Sequence, residues 1–350
     1  MSQTRILLTG ATGYIGGSVL ATLKSSQHEN IQNAQIDVLI RGEERGALFD
    51  SFGVQVIPFQ SLDETNLIRK LSSDYDVIIN AASAFHTESA KAMIAGLRDR
   101  QSKTGQKTHF IHSPQTSGTS SIGDHPITKT YIETKELHDD SNIYQYQTSR
   151  EDSSPYKQRT TDLAVFNSGL EQNVKTTIIM APTIFGKGTG PANSLSIQIP
   201  ALIRQSVKYK QAVVIGDGAG EWDHVHISDL TLLFEIVLFK ILNGEQVPYG
   251  KEGLLFAETG RHTWLDISQG IALVGQQLNI LDTEGVRSVS LDEATAWSVN
   301  GSRQVRELGF ASNARSRAIC GRALGWTPLR EREWKNAVEE DFRAILKEDK

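Results

Sequence analysis

Three glycines near the start of the chain have the spacing of a phosphate-binding turn. Gly10, Gly13 and Gly16 follow the apolar segment Arg5–Thr9 in the run RILLTGATGYIGG. Gly10 permits a tight turn, Gly13 lets backbone amides approach a pyrophosphate, and Gly16 lets the next helix pack against the strand. The amides and dipole at the start of that helix then face the phosphate. The spacing predicts a dinucleotide site.

The residue after the second predicted strand bears on which dinucleotide is bound. The strand Gln35–Ile40 is followed by Arg41, with Arg45 one turn further on. An acidic residue here would bind the 2′-hydroxyl of the NAD ribose, whereas arginine suits the 2′-phosphate of NADP. A solvated loop arginine is the alternative interpretation. The pattern favours NADP(H) and leaves NAD(H) as the second candidate.

The first half of the chain alternates predicted strands and helices, which is typical of an α/β, Rossmann-type doubly wound parallel sheet. The predicted strands are Arg5–Thr9, Gln35–Ile40, Val54–Pro58, Asp76–Asn80, Thr108–His112 and Lys175–Met180. The predicted helices between them are Tyr14–Lys24, Glu64–Ser72, Glu88–Lys103 and Pro155–Gln172. The polar stretch Ser113–Ser154 is predicted to be an irregular loop, and a loop of that length is usually functional or mobile.

The second half is less periodic. Predicted helices near Ser194–Lys208, Asp229–Leu242 and Trp264–Gln277 alternate with short strands at Ala212–Ile215 and Gly253–Ala257. We expect residues 1–190 to form the dinucleotide-binding domain. Residues 191–350 are expected to form mainly a smaller substrate lobe, with some segments returning to the main sheet.

The composition is that of an ordinary globular protein. The 350 residues are 39% hydrophobic and 22% charged, with a formal net charge of −5, which gives no support for nucleic-acid binding. One cysteine excludes an internal disulfide. No apolar run reaches membrane-spanning length, and the first strand leaves no room for a secretory signal. The expectation is a cytoplasmic protein with no membrane or nucleic-acid partner.

Several motifs fall in a recognisable order along nearly the whole chain. They are TGATGYIGG (Thr9–Gly17), DVIINAA (Asp76–Ala82), TSGTSSIG (Thr116–Gly123), SPY (Ser154–Tyr156), APTIFG (Ala181–Gly186), GDGAGEWDHVHISDL (Gly216–Leu230) and LGWTP (Leu324–Pro328). In this order they resemble the extended branch of the short-chain dehydrogenase/reductase superfamily, which includes nucleotide-sugar epimerases and dihydroflavonol-type reductases. More narrowly, they are similar to a group of atypical fungal NAD(P)-binding proteins related to epimerases and dehydratases.

The resemblance implies a set of cofactor contacts along the carboxyl edge of the sheet. The residues implied at the pyrophosphate are Thr12, Tyr14 and Ile15. Those implied to line the cofactor channel are Ala81, Ala82 and Ser83, and those near the nicotinamide are Pro182 and Ile184. Packing of small side chains is the alternative for the two alanines. The resemblance also implies a homodimer through helices beside the sheet.

The resemblance further implies a catalytic tyrosine with a lysine four residues later and a nearby Ser or Thr. At that spacing on a helix, the two side chains share a face. The lysine would lower the tyrosine pKa, and the tyrosine would exchange a proton with the substrate oxygen. The literal match, Tyr131 with Lys135, lies in the polar stretch. Tyr156 begins the helix that leads into the strand Lys175–Met180, and is therefore the preferred candidate.

This preference exposes a departure from the family pattern. Thr160 occupies the lysine position, and either Arg159 or Lys157 could substitute for it in part. For Arg159 the substitution is imperfect, because a guanidinium has a different geometry and does not deprotonate. The hydroxyls available to hold the substrate oxygen are those of Ser117, Thr119 and Ser120, although polar loops contain many hydroxyls that only satisfy turns.

Several histidines and aromatic residues are weaker candidates. His86 and His112 follow or end predicted strands and are alternative acid–base groups, with a structural role as the competing interpretation. In the WDHVHISDL block, a metal site at Asp223, His224 and His226 is disfavoured, and Ser228 or Asp229 is the expected helix cap. The side chains that would wall a substrate pocket or simply pack the lobe are Trp222, His262 and Trp264.

The leading hypothesis is an NADP(H)-dependent oxidoreductase acting on a carbonyl or alcohol of a small organic molecule. The proton donor would be Tyr156. Two alternatives stay open: a nucleotide-binding regulator without catalysis, and a non-redox isomerase, epimerase or lyase on the same scaffold. No metal is expected.

Overall fold

The structure is a computed structural model that describes residues 3–114, 118–298 and 301–348. Its strands in chain order are β1 Arg5–Thr9, β2 Gln35–Arg41, β3 Gln55–Phe59, β4 Val77–Asn80, β5 His109–His112, β6 Leu137–His138, β7 Lys175–Met180, β8 Thr183–Phe185, β9 Ala212–Ile215, β10 Glu221–His226, β11 Leu254–Phe256, β12 Gly260–Thr263, β13 Val286–Val289 and β14 Ser316–Arg317.

The helices alternate with these strands in the first half and dominate the second. They are α1 Tyr14–Lys24, α2 Glu29–Gln32, α3 Thr65–Ser72, α4 Thr87–Thr104, α5 Ile143–Ser153, α6 Lys157–Gln172, α7 Gln198–Tyr209, α8 Ile227–Leu242, α9 Trp264–Gln277, α10 Leu291–Thr295, α11 Arg303–Phe310, α12 Cys320–Ala323 and α13 Trp334–Glu348. None of the described helices is both long enough and apolar enough to cross a membrane.

A seven-stranded parallel sheet organises the molecule. The strand order is β11-β7-β5-β4-β1-β2-β3, and every neighbouring pair is parallel. The order reverses between β1 and β4, which is the place where open α/β sheets bind ligands outside their carboxyl ends. The register aligns Thr9 with Asn80 and Asn80 with His112, so the ends of β1, β4 and β5 lie side by side. The predicted Rossmann-type fold is confirmed.

The central strands of the sheet are buried and carry apolar side chains toward both faces. Ile6, Leu7 and Leu8 of β1 are fully buried, as are Ile78 and Ile79 of β4. Helices α3, α4 and α6 pack together over one face, and α1 packs against α8 over the other. This two-sided burial explains why β1 and β4 show continuous apolar runs instead of alternation.

The second half builds smaller sheets and also contributes to the main one. Strand β10 lies between β12 and β8, β13 pairs with β9, and β14 pairs with β6. Strand β11 pairs with β7 at the edge of the large sheet. Buried carboxylates accept hydrogen bonds from backbone amides of residues 313–330. Asp124 accepts from Asn313, Asp139 from Ile319 and Cys320, Asp223 from Ser316, Glu258 from Ala318, and Asp229 from Leu329 and Arg330.

Two expectations about local structure are wrong. The stretch 113–154 is not wholly irregular, because it contains α5, whose first turn is capped by the side chain of Asn142 accepting from the amide of Gln145. Helix α8 is capped by His226, which accepts from the amide of Ser228, and not by Ser228 or Asp229. The carboxylate of Asp229 instead accepts from two amides of the C-terminal segment.

Candidate functional site

The glycine turn has the close approaches that its spacing predicts. Gly10 has φ +76°, and a Cβ there would lie 2.2 Å from the carbonyl oxygen of Ala81. A Cβ at Gly16 would lie 2.3 Å from the carbonyl oxygen of Gly10. Gly13 is the N-cap of α1, where no side chain caps the first-turn amides. These open amides and this bare backbone fit a dinucleotide phosphate.

A second loop, residues 186–195, lies against this turn. The hydroxyl of Tyr14 donates to the carbonyl of Gly186 at 2.6 Å, and a Cβ at Gly188 would lie 2.8 Å from the Tyr14 ring. The amide of Asn193 donates to the carbonyl of Thr12 at 3.3 Å. Burial raises the pKa of the Tyr14 phenol well above its ordinary value. The Tyr14 side chain therefore anchors loop 186–195, and its backbone amide is the part available to a phosphate.

The other residues implied along the cofactor channel lie around the carboxyl edge of the sheet. Ala81 is buried with its carbonyl against Gly10, and Ala82 is partly buried. The hydroxyl of Ser83 accepts from the amide of Phe85 at 3.2 Å, so it stabilises the turn after β4. The buried residues implied to lie near the phosphates or the nicotinamide are Ile15, Pro182 and Ile184.

Arg41 ends β2 at the far side of the switch point. Its side chain is exposed, and among the described residues it has no recorded hydrogen bond or ion pair. The next residue, Gly42, has φ +80°, and a Cβ there would meet the carboxylate of Glu44 at 2.3 Å. A free guanidinium at this edge and a nearby carboxylate are the two groups that could distinguish NADP from NAD.

Tyr156 lies in a buried chain of hydrogen bonds at the start of α6. Its hydroxyl is 3.1 Å from the hydroxyl of Ser120, which donates to the amide oxygen of Gln158 at 3.4 Å. The amide nitrogen of Gln158 donates to the carbonyl of Gly118 at 2.8 Å. Phe85 packs edge-on against the Tyr156 ring at 6.2 Å. Burial raises the pKa of the Tyr156 phenol above its ordinary value.

The cations near Tyr156 do not take the position that a lysine at residue 160 would have. The Arg159 guanidinium is fully buried and donates to the carbonyls of Ser121, at 2.7 Å, and Ser154, at 2.9 Å. Burial, followed by the charge of Arg150, lowers the pKa of Arg159 to about 10. Thr160 donates its hydroxyl to Glu151, and Lys157 is exposed. In the described part of the chain, Arg159 therefore hydrogen-bonds the backbone at Ser121 and Ser154 and makes no hydrogen bond with the phenol oxygen of Tyr156.

The remaining hydroxyl candidates separate by position. Ser117 lies outside the described residues. Thr119 is fully buried, its amide donates to the carbonyl of Ala181 at 3.2 Å, and its hydroxyl has no described partner. Ser120 alone of the predicted hydroxyls has a recorded contact with Tyr156 among the described residues.

The literal tyrosine–lysine match belongs to a different cluster. The Tyr131 hydroxyl donates to Glu133 at 2.6 Å, and the guanidinium of Arg150 lies 3.6 Å from the centre of its ring. Burial and the bond to Glu133 raise the pKa of the Tyr131 phenol. Lys135 is exposed. Tyr131 is thus tied to a carboxylate that holds its proton.

A buried His–Asp pair, His112 with Asp162, connects the carboxyl end of β5 to α6. Thr9 donates to the side-chain oxygen of Asn80 at 2.7 Å, so the Asn80 amide nitrogen faces Nδ1 of His112 at 3.1 Å. This assigns the proton of His112 to Nε2, which lies 3.7 Å from a carboxylate oxygen of Asp162. Burial lowers the pKa of His112 to about 4 and raises that of Asp162 well above its ordinary value. Sequence reasoning missed Asp162, which lies six residues after Tyr156.

His86, the other alternative acid–base candidate, has a structural position. Its Nδ1 accepts from the amide of Ser89 at 3.2 Å and so caps α4, while its Nε2 lies 3.0 Å from Asp63.

The histidines and tryptophans of the second half form a packed cluster. His224 stacks on Trp334 with ring centres 3.9 Å apart, and its Nδ1 lies 3.1 Å from Nδ1 of His262. Trp222 and Trp264 are fully buried, and both indoles donate to Ser312. Across the described ranges, no group of three or more His, Cys, Asp or Glu side chains could hold a metal. These tryptophans therefore pack the lobe.

Comparison with known proteins places the chain in a family. The profile of the NAD dependent epimerase/dehydratase family matches residues 6–248. An oxidase, ucsJ of an Acremonium species, is 26% identical over 339 residues, which cover 93% of each chain. An uncharacterized protein of Saccharomyces cerevisiae is 24% identical and covers 93% of this chain and 94% of its own.

Solved structures show the same fold at low identity. DesIV, a dTDP-glucose 4,6-dehydratase from Streptomyces venezuelae solved with NAD and TYD, has a TM-score of 0.65 and 16% identity, covering 98% of this chain and 97% of its own. UDP-glucuronic acid 4-epimerase from Bacillus cereus, solved with NAD, has a TM-score of 0.64 and 14% identity, covering 99% and 100%. The glycine turn, the parallel sheet and the matched profile agree: the chain belongs to the NAD dependent epimerase/dehydratase family.

Proposed function

We propose that the protein is an NADP(H)-dependent oxidoreductase that acts on a carbonyl or alcohol group of a small organic molecule. The observation that carries the proposal is the contact between the Tyr156 and Ser120 hydroxyls, 3.1 Å apart, in a chain that has a dinucleotide turn. The 26% identity to an oxidase supports redox chemistry.

The chain's own residues have separable tasks in this reaction. The first turn of α1 would hold the diphosphate, and Arg41 would bind the 2′-phosphate. When bound, the nicotinamide supplies or accepts the hydride. Tyr156 gives its proton to the substrate oxygen, and Ser120 hydrogen-bonds the Tyr156 phenol and so positions it. Because burial raises the pKa of the phenol, Tyr156 stays protonated at neutral pH, which suits a proton donor for carbonyl reduction.

The test is NADPH consumption by the purified protein with a panel of ketones and enones. Tyr156→Phe removes the only transferable proton of that side chain, so we expect turnover to fall at least about 100-fold while NADPH binding is retained. Tyr131→Phe is the matched control and should keep wild-type turnover, because its hydroxyl is bonded to Glu133. Full activity in Tyr156→Phe would contradict the assignment.

A nucleotide-binding regulator without turnover is the second candidate. It is favoured by Thr160 at the lysine position and by the engagement of Arg159 with two backbone carbonyls. Tight NADP(H) binding by calorimetry, with no turnover of any compound in the panel, would support this candidate over the enzyme.

A further inference from the structure

We propose that Gln158 is a positioning residue for Tyr156, and that it fixes the direction of the hydrogen bond between Tyr156 and Ser120. The family pattern draws attention to residue 160, where this chain has threonine. Gln158 lies two residues after Tyr156 on the first turn of α6. The role of Gln158 in catalysis rests on the proposed function, whereas the direction of the hydrogen bond between Tyr156 and Ser120 does not.

The orientation of the Gln158 amide follows from its partner in the loop. One end of the amide lies 2.8 Å from the carbonyl oxygen of Gly118. A carbonyl oxygen can only accept, so this end is the NH₂ group. The amide oxygen is therefore the end that lies 3.4 Å from the hydroxyl of Ser120.

This orientation determines where each hydroxyl proton points. The amide oxygen of Gln158 carries no hydrogen, so the single proton of Ser120 is donated to it. Ser120 then offers only lone pairs to Tyr156, 3.1 Å away, and Tyr156 is the donor in that contact. The bonds run in one direction, from Tyr156 to Ser120, then to Gln158, then to the carbonyl of Gly118.

Burial makes this direction consequential. Tyr156, Ser120 and Gln158 are at most 3% exposed, so bulk water does not compete for these protons. Ionising the phenol would require Ser120 to turn its proton toward Tyr156, and that turn would break its bond with Gln158. Gln158 thus favours the protonated phenol and keeps Tyr156 a proton donor, a role opposite to that of a lysine that stabilises the phenolate.

The neighbouring residue strengthens the same arrangement. Arg159 holds the carbonyl of Ser121 at 2.7 Å, while Gln158 holds the carbonyl of Gly118 at 2.8 Å. Consecutive residues of α6 therefore fix both ends of the segment 118–121 that carries Ser120.

The experiment measures phenol ionisation directly and needs no substrate. A difluorotyrosine, whose phenol ionises near neutral pH, is incorporated at position 156 and its pKa is followed by fluorine NMR. Gln158→Met keeps the side-chain length but removes both amide groups. Ser120 can then donate to the phenolate, so we expect the pKa at position 156 to fall by about one unit, tenfold in the ionisation constant.

A double-mutant comparison separates this role from a loss of packing. If Gln158 acts through Ser120, Gln158→Met has no effect on the pKa at position 156 in a Ser120→Ala background. Gln147→Met is the matched control, because Gln147 is a fully buried glutamine that bonds Ser121 and has no recorded contact with Ser120. It should leave that pKa unchanged.

The outcomes are decisive in either direction. A fall that disappears without Ser120 supports the proposal. An equal fall in both backgrounds, or no fall with Gln158→Met or with the second variant Gln158→Leu, overturns it. Because neither cofactor nor turnover enters the measurement, inactivity of the protein toward every ketone would count against the proposed function alone.

Discussion

The glycine turn and the tyrosine centre, which consists of Tyr156, Ser120 and Gln158, match the family pattern to different degrees. At the turn, Gly10, Gly13 and Gly16 are all present. A Cβ at Gly10 or Gly16 would lie 2.2 or 2.3 Å from a backbone carbonyl oxygen, which excludes a side chain at either position. At the tyrosine centre, Thr160 occupies the lysine position. Backbone geometry allows glycine alone at such contacts, whereas a hydrogen-bonding task can pass to another side chain. The comparison indicates that the residue types of the glycine turn are constrained more tightly than those around Tyr156.

The largest effect is expected at the turn itself. Gly10→Val places a branched side chain at φ +76° and 2.2 Å from the carbonyl oxygen of Ala81, so the backbone must move. We expect dinucleotide affinity to fall at least about 100-fold, roughly 3 kcal/mol, and the melting temperature to drop. Calorimetry and thermal unfolding measure the two effects.

The control for this substitution is Gly46→Ala, because a Cβ at Gly46 would have its nearest neighbour at 3.9 Å. It should bind like the wild type. Unchanged affinity in Gly10→Val would show that the turn is not the constrained part, and would break the comparison.

The second prediction concerns Asp162, six residues after Tyr156, which is expected to make the stability of the protein depend on pH. Burial raises the pKa of Asp162 in the folded state, so the native protein binds this proton more tightly than the unfolded chain does. The free energy of unfolding then falls as pH rises above about 4, by up to about 1.4 kcal/mol per pH unit for one group. Asp162→Asn should flatten this dependence and raise stability at pH 8 relative to the wild type.

Urea unfolding at pH 5 and pH 8 measures the difference between the two proteins. Asp50→Asn, at an exposed carboxylate, is the matched control and should follow the wild-type curve. A parallel pH dependence in Asp162→Asn and the wild type would mean that the buried carboxylate is satisfied by neighbours in its ionised form.

The smallest of these effects concerns the choice of cofactor. Arg41→Ala removes an exposed guanidinium without a recorded partner in the described part of the chain. We expect NADPH affinity to fall about tenfold, or 1.4 kcal/mol, with NADH affinity unchanged. Equal losses for both nucleotides would show that Arg41 does not read the 2′-phosphate.

Many of the strands and helices could be predicted because their signals are local. The bounds of β1, α1, β7 and α9 are confirmed as the sequence predicts them. The sequence does not predict helix α5, because its residues are polar and lack an apolar period; in the structure the helix packs against α6. The two-residue pairing of β6 with β14 joins distant segments and leaves no pattern in either.

Candidate site residues could be predicted only where a task requires a particular residue type at a particular position. The glycine spacing indicated the turn, and the position of Tyr156 before a helix and strand indicated the tyrosine. Gln158 and Asp162 were missed, since their partners Ser120 and His112 are distant in sequence and meet them only in the folded chain. A buried glutamine so close to a candidate tyrosine was the available signal for Gln158.

Calorimetric titration of the wild-type protein with NADPH, NADP⁺, NADH and NAD⁺ is the most direct test of the dinucleotide site. The glycine turn, with its open amides and bare backbone, predicts saturable binding, tightest for the two phosphorylated nucleotides. Absence of binding for all four nucleotides would contradict the assignment of the turn, and with it the proposed chemistry.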